Sequence, residues 1–89
     1  MYEFVLVRVN YLRGKNDAEV DRGYVNEVPI PRGRNIHSLL DVLGKSGFSM
    51  VNFNATQIAG KESFYFMFQR SVGGSSKPLS AVVTTAAGG

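Results

Sequence analysis

The chain changes character at Gly73-Gly74, and that boundary decides how much of it can build a core. Residues 1–72 carry strongly apolar strands, whereas residues 75–89 have no aromatic side chain and a single charge, Lys77. We read 1–72 as one α+β domain and 73–89 as a flexible Gly/Ser-rich hinge followed by an extended arm. With 89 residues, 44% of them hydrophobic, there is material for one core and not for two. A core of about 72 residues is only marginally self-sufficient, so a partner subunit or a covering segment is expected.

Alternation marks the strands. Val5, Val7 and Val9 fall on one face of a strand over 2–12, with Tyr2, Phe4 and Leu6 on the other before Arg8 and Asn10. A strand that begins apolar on both faces needs cover on both, from a helix on one side and a partner chain on the other. Residues 13–22 are charged and contain Gly14, Asn16 and Asp17, which reads as an exposed hairpin connection. Tyr24, Val25, Val28 and Ile30 form a second strand, placed at a sheet edge by Pro29 and Pro31. Asn35 can cap a helix whose Ile36, Leu39, Leu40 and Leu43 lie on one stripe, ended by Gly44 or Gly47. Two more strands follow, over 48–53 and 63–70, joined by a turn around Ala59-Gly60-Lys61. The last sends Phe64, Phe66 and Phe68 to one face and Tyr65 and Met67 to the other. The expected fold is ββαββ: a four-stranded, mainly antiparallel sheet with one helix packed on it, trailed by the arm.

Three segments together match a known pattern: Met1-Tyr2-Glu3-Phe4-Val5-Leu6-Val7, Leu39-Leu40-Asp41-Val42-Leu43-Gly44-Lys45-Ser46-Gly47-Phe48-Ser49-Met50-Val51 and Phe64-Tyr65-Phe66-Met67-Phe68-Gln69-Arg70. The chain here resembles the small bacterial and phage family catalogued as domain of unknown function 4177 over most of residues 1–71, and not in the arm. That family shows a Tyr-Glu-Tyr-like opening strand, a helix ending in a Leu-Gly-x-x-Gly-aromatic-x-x-Val step, and a closing strand with a basic tip. Phe48 stands where the family usually has tryptophan, and Gln69 where it usually has lysine. The resemblance implies a fold and a bacterial or phage origin. It supplies no activity and no catalytic residues.

Composition excludes much chemistry. No cysteine is present, which removes disulfides, thiolate metal sites, cysteine nucleophiles and dithiol redox reactions. His37 is the one histidine, and Ser38 beside it on the helix points elsewhere, so no Ser-His-Asp set with Asp41 is expected. Carboxylates are dispersed, and Gly73-Gly74-Ser75-Ser76-Lys77-Pro78 lacks the Gly-Lys-Ser/Thr ending of a phosphate loop. We therefore expect no enzyme, no catalytic residues, no metal and no cofactor. The opening residues lack the basic start and unbroken apolar stretch of a signal peptide, and no apolar run is long enough for a membrane span. A cytoplasmic protein with no membrane partner is the expectation.

Binding remains. One short helix cannot cover both faces of the sheet, which leaves an apolar surface from Tyr2, Phe4, Tyr65 and Met67, with Arg70 beside it, for a protein partner or a second copy. Single-stranded nucleic acid on the aromatic strand, with Phe64, Phe66 and Phe68 as stacking rings, ranks behind self-association. The net charge is +3, but the basic residues do not concentrate beside these strands. Arg32, Arg34 or Arg70 could also hold a small anion between subunits, with no motif behind it. In the arm, Leu79, Val82 and Val83 have β-branched or apolar character suited to strand addition on an exposed edge. The closing Gly88-Gly89 is similar to the tail of ubiquitin-like and sulfur-carrier proteins, whose terminal carboxylate is activated by an adenylating enzyme.

Overall fold

The computed structural model describes residues 1–12, 18–58, 61–73 and 77–88. The centre of the charged connection at 13–17, the turn at 59–60, the hinge at 74–76 and the terminal Gly89 lie outside the described residues. Seven elements follow in order: β1 (Tyr2–Tyr11), β2 (Val20–Val25), β3 (Val28–Pro29), α1 (Ile36–Lys45), β4 (Ser49–Ile58), β5 (Lys61–Ser71) and α2 (Leu79–Ala87). The strands form one sheet in the order β3-β2-β1-β5-β4, and every neighbouring pair is antiparallel.

The sheet thus has five strands, not the expected four. The difference arises at Asn26, whose φ of 52° turns the chain between β2 and β3 where one continuous strand was expected. Asparagine visits this left-handed region more readily than most residues. Its backbone N–H donates to the Leu6 carbonyl at 2.8 Å, and its Oδ1 accepts from the Leu6 N–H at 2.9 Å. One turn residue therefore serves both backbone groups of Leu6, as a strand neighbour would.

The larger correction concerns the C-terminus. Residues 79–87 are a second helix, α2, not an extended arm, and the order of elements is βββαββα. Valine and threonine are weak helix formers. What selects the helix is the spacing of Leu79, Val82, Val83 and Ala86, which puts apolar groups on one side. Val82, Val83, Ala86 and Ala87 are buried against α1, β2 and β3, and the alanines allow close approach. Gly88 closes α2 at φ 107°, and Arg34 donates to the Ala86 carbonyl from Nη2 at 3.2 Å, satisfying one of the helix's last acceptors.

Helix α1 begins where the sequence places it. Asn35 Oδ1 accepts from the backbone N–H groups of His37 and Ser38 at 2.8 and 3.2 Å. Of the two glycines considered as its end, Gly44 lies within the helix, while Gly47, at φ 89°, turns the chain away just beyond it. Ile36, Leu39 and Leu43 are buried, and Leu40 packs at the core margin. Together with α2 they cover the sheet face built from Val5, Val7, Val9, Val25, Phe66 and Phe68. Full burial of each such side chain is worth about 1.5–3 kcal/mol, so this face is the source of the fold's stability.

Candidate functional site

The opposite sheet face carries no helix among the described residues, and register decides what it presents. Leu6 pairs with Met67, Arg8 with Tyr65 on one side and Tyr24 on the other, and Phe4 with Gln69. Since residues opposite one another share a face, Tyr2, Phe4, Leu6, Arg8, Tyr24, Tyr65 and Met67 all project away from the helices. Tyr2 and Phe4 keep 56% and 52% of their surface exposed, and Tyr24 is also exposed. The Arg8 guanidinium lies 5.1 Å from the centre of the Tyr24 ring, a cation–π contact at the surface. Tyr24, Arg8, Tyr65 and Asn54 form one row across β2, β1, β5 and β4. At the usual strand spacing the two tyrosines stand about 10 Å apart with the arginine between them. Beside the row, Leu6, Asn52, Phe53, Asn54, Tyr65 and Met67 line an open depression of ≈ 440 Å³.

Four of the five residues expected to form a binding surface, Tyr2, Phe4, Tyr65 and Met67, share this face. Arg70 does not. It pairs with Glu3 on the helix side, and its side chain is only 4% exposed. Its guanidinium donates to Glu3 Oε1 at 2.9 Å, to the Ser46 carbonyl at 2.8 Å and to the Lys77 carbonyl, and lies 4.6 Å from the centre of the Phe48 ring. It ties β1, the end of α1 and the approach to α2 to one point, a structural task that engages three of its five N–H donors in a buried setting closed to a ligand. The other two arginines considered for an anion are also engaged. Arg32 pairs with Asp21 at 2.9 Å, and Arg34 serves the end of α2.

The phenylalanines considered as a stacking platform face the helices. Phe66 and Phe68 are buried, and Phe64 is partly buried against the core. Sequence reasoning left Tyr24 out of the open face because β2 reaches β1 only through the hairpin register, and it placed Arg8 on this face without assigning it to the binding surface. The available signal was their alternation with Val7, Val9 and Val25, which are core residues.

A second feature is the outer edge of β4. This strand pairs with β5 alone, and its other edge is unpaired among the described residues. It runs for 10 residues, Ser49-Met50-Val51-Asn52-Phe53-Asn54-Ala55-Thr56-Gln57-Ile58, without a charge or a proline. Met50, Val51 and Phe53 are each about half exposed, at 47%, 49% and 51%. Phe53 packs on Phe66 and Phe64 with ring centres 5.1 and 6.2 Å apart. A register shift between Met50 and Asn52 interrupts regular pairing near the start of the strand.

His37 is exposed on α1, and among the described residues no three His, Asp or Glu side chains gather as metal ligands would. Among the described residues, no helix is long and apolar enough to cross a membrane. In the arm, Leu79, Val82 and Val83 contribute to the core instead of offering a strand, and Gly88 is the cap of α2 beneath Arg34. The extended, side-chain-free tail that an adenylating enzyme would need is not the form of the chain up to Gly88. No family model matches this chain, and neither a curated protein nor a solved structure matches it.

Proposed function

We propose that this protein is a non-enzymatic, self-associating module that joins a second copy through the outer edge of β4. The observation that carries this reading is a long edge strand with neither charge nor proline. Soluble proteins ordinarily protect such an edge with lysine, proline, a bulge or a covering loop, because its free N–H and C=O groups are a template for another strand. Here a single irregularity near Val51 is the only such device in the described strand. A copy laid antiparallel along residues 52–58 opposes no like charges and continues the sheet, the arrangement of strand addition. Half-exposed Phe53 of each copy then gains cover near the join. The resemblance to the domain of unknown function 4177 family belongs to this proposal as a statement of kinship and adds no activity to it.

Sedimentation of the full chain at micromolar concentration tests the reading, with a dimer expected. Ala55→Lys, at an exposed position of β4, sets two like charges beside one another across the join and returns the chain to a monomer without unfolding it. Since the chain has no cysteine, Ala55→Cys introduces one thiol per copy opposite its own counterpart, and mild oxidation should trap the dimer covalently. A full chain that stays monomeric, or a dimer indifferent to Ala55→Lys, would overturn the proposal.

A further inference from the structure

The open sheet face is unusual in its charge. It presents four aromatic rings, Tyr2, Phe4, Tyr24 and Tyr65, and two guanidinium groups, Arg8 and Arg22, with no Asp or Glu at any strand position that shares it. The acids of β1 and β5, Glu3 and Glu62, fall in the register of the helix side, opposite Arg70 and Gln57. From this geometry we infer that the open face binds single-stranded nucleic acid. The inference goes beyond self-association and does not depend on it.

Three features of the face support this occupant. Tyrosine and phenylalanine rings on an uncovered sheet are platforms on which successive bases stack, and every base has a face to offer. Arg8, between Tyr24 and Tyr65 in one row, and Arg22, next to it on the edge side, place positive charge where the backbone linking stacked bases would run. The amides of Asn52, Asn54 and Gln69 lie beside the rings with groups that both donate and accept, as base edges require. A second copy suits this surface poorly. Face to face, a second copy would bring Arg8 and Arg22 no carboxylate from the strand positions of this face. A polyanion supplies the missing charge. The platform differs from the one suggested by the aromatic strand alone, since Phe66 and Phe68 are turned into the core.

Fluorescence anisotropy of labelled oligothymidylate and oligouridylate, each about ten nucleotides long, titrated with the full chain tests the inference. Binding is expected at low salt. With two phosphates neutralised, log affinity should fall against log salt with a slope of about −1.4. Tyr65→Ala and Tyr24→Ala should each weaken binding on the order of ten-fold, and Tyr65→Phe, which keeps the ring, should restore it. Arg8→Gln should flatten the salt slope by about 0.7. Lys45→Gln, on the exposed side of α1, should leave it unchanged if the contact is local to the face. Circular dichroism identifies any variant that unfolds, and Arg8→Gln, at an exposed position, keeps the test available if a tyrosine variant fails to fold. Absence of binding at low salt overturns the inference. So does binding weakened equally by Lys45→Gln and Arg8→Gln, which would be attraction to net charge alone. Loss of the dimer on Phe4→Ala without oligonucleotide binding by the full chain would assign the face to a second copy instead.

Discussion

Along β1, Val5, Val7 and Val9 lie beneath two helices, while Phe4, their neighbour on the same strand, keeps 52% of its surface in water. Backbone, sheet and sequence neighbourhood are shared; only the direction of the side chain differs. The covered face uses compact aliphatic residues and two phenylalanines that fill space against helices. The open face uses amphipathic rings, arginine and amides, which tolerate water and can still contact another molecule. An apolar strand residue is therefore evidence of core only on the side that a second layer reaches. In this protein both described helices go to one side, and the other side carries none among the described residues.

The contrast can be broken most strongly with one pair of substitutions. Leu39→Ala removes a fully buried side chain from α1 and should cost about 2–5 kcal/mol in urea unfolding. Leu6→Ala, on the open face, should cost less than about 1 kcal/mol. Comparable losses at both positions would mean that the open face is covered in solution by something the isolated chain does not contain. The arginines give the next test. Arg70→Ala strands Glu3 and two carbonyls in a largely buried setting and should cost about 3 kcal/mol, while Arg8→Ala should stay within about 0.5 kcal/mol. The smallest effect belongs to the start of α1, where Asn35→Ala removes the cap accepted by two N–H groups and should cost about 1 kcal/mol. Thermal unfolding of that variant should show a lowered midpoint with oligomeric state and oligonucleotide binding unaltered, because the cap touches neither surface.

Much of the fold was legible where a local pattern and a local cause coincide. Asn35, Ile36, Leu39 and Leu43 specify a capped amphipathic helix within nine residues, and the structure has it. The alternation of β1 and β5 likewise separates Val5 from Phe4 and Phe66 from Tyr65 without any knowledge of neighbours. At 79–87 the same kind of reading failed. Val82, Val83, Thr84 and Thr85 look strand-like one by one, and only a surface on α1, β2 and β3 gives their helical spacing something to bury. Asn26 was equally opaque, because its turn depends on a hydrogen-bonding partner, Leu6, 20 residues away.

The candidate sites divide in a similar way. Alternation along β1 and β5 was enough to group Tyr2 with Phe4 and Tyr65 with Met67 on faces away from the valines and phenylalanines. It could not place Arg70, whose partner Glu3 is 67 residues distant and whose burial exists only because β1 and β5 are adjacent. Nor could it place Arg8 between two tyrosines, or leave β4 at the rim. Side-chain direction follows from the geometry of an extended backbone and is written residue by residue. Which strands adjoin, which face two helices choose, and which edge stays open are settled by contacts between distant segments, and those exist only once the chain has folded.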